Sequence, residues 1–324
     1  MLRFVTVRGL QNQTSRWFST YLQENRWFII KRKQKEQSKY ASEAEVVWMY
    51  IDAHVHFWKL DRGDYGWLTP DKSVLYQDYL PEQLMASFNK YQVDQVIAVQ
   101  AASTVEETRF LLTLAAQYPL IAGVVGWLDI ADRDFLDVYE KLRSNPRFIG
   151  IRLGGAEIRC ALEEKHGRRL SHIRQMAADE FNVDLLVRPA DLPYVVQLLE
   201  TVPLLRGVVN HLGSPLSAAE TSAGQWAEGM KKVSAYPHVM CKLSGMITPA
   251  GGFHPERLRG YVKQLLEWFG TKRLMYGSDW PVALQAGSYE DVTRLFNEVL
   301  GSGLTDEQLD VLRCGNAERF YLRR

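Results

Sequence analysis

The chain has 324 residues, 46% hydrophobic and 24% charged, with a formal net charge of +1. Residues 1–49 hold nine Lys or Arg against four Asp or Glu, which leaves 30 against 34 for the rest. The body therefore lacks the basic surface of a nucleic-acid or membrane-surface protein, and no apolar run reaches the roughly 18 residues of a bilayer span.

Residues 1–23 contain Arg and Ser but no acid, loosely like a transit peptide. With Lys31-Arg32-Lys33 following and Met49 just before the first strand, residues 1–48 are expected to be an appendage outside the fold. From residue 49 onwards short apolar runs alternate with helix-period segments, as in a single domain. The runs that read as strands are Tyr50–His56, Asp94–Ala101, Ile121–Ile130, Phe148–Leu153, Val183–Arg188, Gly207–Leu212, His238–Ser244 and Arg273–Ser278. Helices are expected at Pro81–Lys90, Val105–Tyr118, Asp134–Arg143, Arg168–Phe181, Leu192–Thr201, Gln225–Ala235, Pro255–Phe269 and Tyr289–Leu300. Residues 57–80 and Gly154–Gly167 read as loops. Thr305 and Gln308 stand at capping-box spacing and open an additional C-terminal helix within Leu304–Leu322. Most strands are continuous apolar runs, the mark of parallel strands buried on both faces. Eight such units predict an α/β fold, the closed (β/α)8 TIM barrel. Cys160, Cys241 and Cys314 are isolated, with no CxxC pair, so a reducing, cytoplasmic location is expected. Cys241, inside an apolar strand, reads as a small core residue.

Active sites of such barrels lie at the C-terminal ends of the strands. Here those ends carry His54 and His56, Gln100, Trp127 and Asp129, Arg152, Arg188, His211, Lys242 and Asp279. His54 and His56 are one residue apart and share a strand face, so they can hold one metal ion or flank one substrate. Arg152 and Arg188 follow apolar runs, where a cation must pair internally or face a substrate. Lys242 can face the site or extend outward. Trp58, Tyr65 and Trp67 line a pocket mouth or cap the barrel. His166, His172, His238 and His254 are expected at the surface.

The ordered set DAHVHFW (52–58), VGW (125–127), GIR (150–152), LLVRPADLP (185–193), NHLGSP (210–215), KLSGM (242–246), YGSDWPV (276–282) and GNAERFY (315–321) resembles the amidohydrolase superfamily. Within it, the set is similar to the amidohydrolase-2 branch and its sugar-lactonase group, of the L-fuconolactonase and L-rhamnonolactonase type. The resemblance implies a hydrolase acting on a small-molecule sugar lactone. Transferred residue by residue, it implies His54 and His56 as the HxH pair, His211 on strand six and Asp279 on strand eight. Three departures stand out. Arg152 replaces the carboxylated lysine of binuclear members, Arg188 replaces the strand-five histidine of mononuclear members, and Leu153 replaces a histidine frequent in the lactonase group. The implied metal set is His54, His56 and Asp279, for one Zn or Mn ion or for none.

Lactone hydrolysis needs a base for the water and a positive environment for the oxyanion. Asp279 is the expected base, with Arg152, His54, His56 and His211 polarising the carbonyl. Arg188, Lys242, Trp58 and Trp280 are expected to bind the substrate. Two alternatives stay open: a metal-dependent decarboxylase or amide hydrolase of the same branch, and a catalytically silent binding barrel. Assembly as a homo-oligomer is compatible with the sequence.

Overall fold

The computed structural model describes residues 50–164, 167–216 and 223–322. The expected N-terminal appendage, residues 1–48, lies outside the described residues, as does His166.

Eight parallel strands follow one another in a single sheet, in sequence order. They are β1 (Tyr50–Val55), β2 (Val93–Val99), β3 (Ile121–Gly126), β4 (Phe148–Gly154), β5 (Asn182–Leu186), β6 (Arg206–Val209), β7 (Met240–Leu243) and β8 (Leu274–Tyr276). The sheet closes through a parallel bridge between Val55 and Trp280, which joins β1 to the segment after β8. This is the expected TIM barrel.

The α-helices lie between the strands and, for the last of them, after β8: α1 (Pro81–Tyr91), α2 (Val105–Gln117), α3 (Phe135–Arg143), α4 (Gly155–Glu163), α5 (Arg168–Ala178), α6 (Leu192–Thr201), α7 (Ala223–Ser234), the short α8 (Ile247–Ala250), α9 (Arg259–Phe269) and α10 (Tyr289–Leu300). Helix α4 corrects the loop expected at Gly154–Gly167. Its Ile158, Ala161 and Leu162 are buried at i, i+3 and i+4, the stripe that seats a helix on a core. Glu157 fixes its start by accepting from the Gly154 N–H at 2.5 Å. The C-terminal helix begins as α11 (Asp306–Asp310) and continues in wider π-helical turns at Val311–Gly315 and Glu318–Leu322. No described helix is long and apolar enough to cross a membrane.

The buried apolar residues form two clusters. The larger lies between sheet and helices. The smaller fills the barrel interior with Ile51, Ala53, Ile97, Val125, Val208 and Met275, together with Phe320 and Tyr321 from the C-terminal segment. The C-terminal helix therefore contributes side chains to the barrel core. Cys241 is fully buried, and burial pushes its thiol pKa upward, in keeping with a core role. His172 corrects the surface expectation. It is buried, stacked on Phe135 with ring centroids 4.3 Å apart, and its Nδ1 lies 3.0 Å from the Ile130 carbonyl.

Candidate active site

Strand β1 and the segment after β8 create the site together. The Asp279 N–H donates to the His54 carbonyl at 2.8 Å, and the His56 N–H donates to the Trp280 carbonyl at 2.7 Å. The pairing of β1 with β2 shifts between Asp52 and Val55. A shift of this kind re-aims side chains. Ile51 and Ala53 pack inside the barrel, yet after the shift His54 and His56 face the site and Val55 packs outward.

Asp279 has φ +62°, a left-handed conformation that Asp and Asn tolerate better than most residues. Its Oδ1 is the focus of the site. The Nε2 atoms of His56, His54 and His211 lie 3.3, 3.7 and 4.0 Å from it. Burial opposes the Asp279 charge, but His211, His56 and Arg152 outweigh it and hold the carboxyl below its usual range. Burial, aided by Lys242 and the neighbouring histidines, pushes His54 well down. Burial also lowers His211, with Asp279 pulling the other way. Arg152 donates to the Gln100 carbonyl at 2.7 Å, while its buried Nε has no partner. The five residues expected to act together, His54, His56, Arg152, His211 and Asp279, thus share one neighbourhood.

His211 is held by the turn after β6, where His211, Leu212, Gly213 and Ser214 all have positive φ. Its Nδ1 lies 3.0 Å from the Ser244 hydroxyl. Gly245, at φ +58°, makes room for the ring, since a Cβ there would stand 2.4 Å from His211 Nδ1. A cavity of about 210 Å³ opens beside Asp279 and His211, walled by Leu212, Met246, Leu258 and Val282.

Four sequence expectations fall elsewhere. Lys242 is fully buried and donates to Asp184 Oδ2 at 2.6 Å, so it neither extends outward nor faces the cavity. Trp58 is fully buried against Trp67 and Tyr79, and its indole N–H is spent on the Gln77 carbonyl at 2.7 Å. Trp280 is buried edge-on to Tyr79 and Phe57. Arg188 is exposed, because β5 ends at Leu186 and the chain turns at Pro189–Asp191. Among the described residues no hydrogen bond or ion pair links the Arg188 side chain to the site.

The sequence reading missed a supporting layer. Asp52 Oδ1 accepts from the N–H groups of Ser278 at 2.8 Å and His54 at 3.2 Å, and its Oδ2 accepts from the Tyr289 hydroxyl at 2.9 Å. Burial raises its pKa to about 6, against those hydrogen bonds. Tyr289 opens α10, whose start is fixed by Ser288 capping the Asp291 N–H at 3.1 Å. Asp184 accepts from Lys242, from Asn210 at 2.9 Å and from Tyr321 at 2.6 Å. The only trace of Asp52 in the sequence is its place two residues before His54; Asp184 left none, being one acid in an apolar strand.

His54, His56 and Asp279 form a possible metal site, with ligand atoms all within 4.8 Å of one another. A ligating imidazole ordinarily donates its other N–H to an acceptor. His56 meets that condition, with Nδ1 2.8 Å from the Val99 carbonyl. His54 has a buried Nε2 without a hydrogen-bond partner, which a cation would satisfy. Its Nδ1, however, faces the Lys242 amine at 3.5 Å, a donor rather than an acceptor. His56 and Asp279 therefore suit a cation, and His54 suits one at its Nε2 but not at the contact behind its ring.

Comparison with known proteins agrees with this geometry. The family model described as Amidohydrolase, of the amidohydrolase-2 type, matches residues 51–323. An L-fucono-1,5-lactonase of Burkholderia ambifaria is 35% identical over 243 residues, covering 74% of this chain and 83% of the relative. A second L-fucono-1,5-lactonase, from Burkholderia multivorans, is 33% identical over 290 residues, covering 84% and 95%. A crystal structure of an amidohydrolase from Burkholderia multivorans with bound zinc superimposes with a TM-score of 0.78 at 31% identity, covering 85% of this chain and all of that one. The chain belongs to the amidohydrolase-2 family of TIM-barrel enzymes.

Proposed function

We propose that this protein hydrolyses the lactone of a sugar acid, of the L-fucono-1,5-lactone type. The observation that carries the reading is a single buried carboxylate, Asp279, faced by three imidazoles and open to a cavity of about 210 Å³. A carboxylate kept ionised in such a place can take a proton from water at neutral pH. The similarity to two L-fucono-1,5-lactonases supports the substrate class.

Asp279 removes a proton from water as the water oxygen bonds to the lactone carbonyl carbon. The carbonyl electron pair moves onto oxygen, and the His211 ring and the Arg152 guanidinium stabilise that charge. The tetrahedral centre then collapses, the ring C–O bond breaks, and the leaving alkoxide takes the proton from Asp279. The products are an open-chain hydroxy acid and the regenerated carboxylate. No step of this route is drawn through a metal ion; His54, His56 and Asp279 are the residues that would hold one.

A panel of aldonolactones read with a pH indicator tests the reading. Turnover of at least one six-carbon 1,5-lactone well above its spontaneous rate is expected. Inactivity across the panel, with activity on an aromatic acid once zinc or manganese is added, would replace it with the decarboxylase reading.

A further inference from the structure

Lys242 is an unusual residue to find inside a barrel. Its side chain and that of Asp184 are both fully buried, and the pair is 2.6 Å apart. Removing two charges from water costs several kcal/mol for each, so a buried pair is weak evidence for stability and invites a functional account. Asp184 is clamped from three sides, by Lys242, by Asn210 Nδ2 at 2.9 Å and by the Tyr321 hydroxyl at 2.6 Å. The Tyr321 ring also lies beneath the Lys242 amine, 5.1 Å from its centroid. On the active-site side the amine meets His54 Nδ1 at 3.5 Å.

Burial lowers the Lys242 pKa while the Asp184 carboxylate at 2.6 Å pulls it back up, and as the ammonium of that ion pair the group has three protons and no lone pair. The ring nitrogen facing it must therefore offer its own lone pair, which places the His54 proton on Nε2. That atom is aimed at Asp279 Oδ1, 3.7 Å away. His56 is arranged the other way, since its Nδ1 faces the Val99 carbonyl and must carry a proton. The two histidines one residue apart are thus set to opposite tasks by what lies behind them.

We propose that Lys242, held by Asp184 and Tyr321, is a positioning residue that fixes His54 as the Nε2–H tautomer pointing at Asp279. His54 then presents its Nε2–H towards the catalytic carboxylate, 3.7 Å away, and that nitrogen is closed to a metal ion. The C-terminal segment takes part in the site through Tyr321, from the far side of the barrel core. The kinetic part of this account rests on the lactonase reading, whereas the tautomer does not.

The test is 15N NMR of histidine-labelled, chelator-treated full-length protein, with the His54 signals assigned by their loss in H54N. A protonated Nε2 and an unprotonated Nδ1 are expected. A proton on Nδ1, or on both nitrogens, overturns the proposal. K242M alone would strand the Asp184 charge, so the working variant is D184N/K242M, which removes both charges together. In it His54 should lose its single tautomer, and kcat for the lactone should fall by about 10- to 100-fold with KM nearly unchanged, the scale of supporting-shell losses. An unchanged His54 spectrum in a folded double variant contradicts the proposal. If no lactone is turned over, the spectra still decide the tautomer while the lactonase reading fails.

Discussion

The backbone N–H of Asp279 donates to the carbonyl of His54 at 2.8 Å. The contact that closes the barrel between its first strand and the segment after its last is therefore also the contact that sets the carboxylate against the histidines. Fold and site share this seam.

Replacing Asp279 by Asn removes the base but keeps a residue that tolerates φ +62°. D279N should lower kcat by at least about 10²- to 10⁴-fold, the usual contribution of a positioned base, with the circular-dichroism spectrum unchanged. A folded variant with near-normal turnover would remove Asp279 from the mechanism.

The pH profile follows from the same carboxylate. Its pKa is held below 3.8, and those of His54 and His211 below 6.5. The base therefore stays ionised down to acid pH, and both rings gain their charge at lower pH than a free imidazole does. The kcat/KM for a lactone should form a plateau across roughly pH 5 to 7.5, with its acid limb lower still. An acid limb centred between 6 and 7 would show a histidine, and not Asp279, as the essential base.

Much of this arrangement was legible in the sequence, and what was not has a physical cause. The apolar runs of parallel strands marked all eight strands, and the barrel rule turned their ends into a list that included every group around Asp279 Oδ1. The list failed where a strand ended early. VDLLVR reads as one run, but β5 stops at Leu186, so its inward polar residue is Asp184 and not Arg188. Lys242 was in view, but its partners Asp184 and Tyr321 are 58 and 79 residues away in opposite directions, and no local pattern announces such pairing. Asp52 and Tyr289 meet across 237 residues for the same reason.

Gly245 offers a steric test. An alanine there would carry the strain of φ +58° and press its Cβ against the His211 ring. G245A should lower the urea unfolding free energy by about 1–3 kcal/mol. It should also reduce kcat by at least about tenfold through the displaced His211, a shift an enzyme with an uninvolved His211 would not suffer.

Buried carboxyls away from Asp279 make stability depend on pH. Glu107 accepts from the Ala101 N–H at 2.9 Å and the Tyr65 hydroxyl at 2.7 Å, and burial raises its pKa to about 7. The folded state then binds this proton more tightly than the unfolded chain, so the Glu107 contribution is present at low pH and lost as pH rises towards 7. The lowered histidines act with the opposite sign, so the informative quantity is a difference. Relative to E107Q, the wild type should lose stability between pH 5 and 8, by up to roughly 3 kcal/mol at 1.4 kcal/mol per pKa unit. Parallel urea-midpoint curves for the two proteins would show that Glu107 does not titrate in this range.

The central claim is that a carboxylate, aided by imidazoles and a guanidinium, opens a sugar lactone without a metal ion. Its most direct test is the rate of L-fucono-1,5-lactone hydrolysis by protein stripped with chelator, with metal content measured on the same sample. The account predicts undiminished turnover at a metal content far below one ion per chain. Loss of turnover on stripping, restored by stoichiometric zinc or manganese, would contradict it.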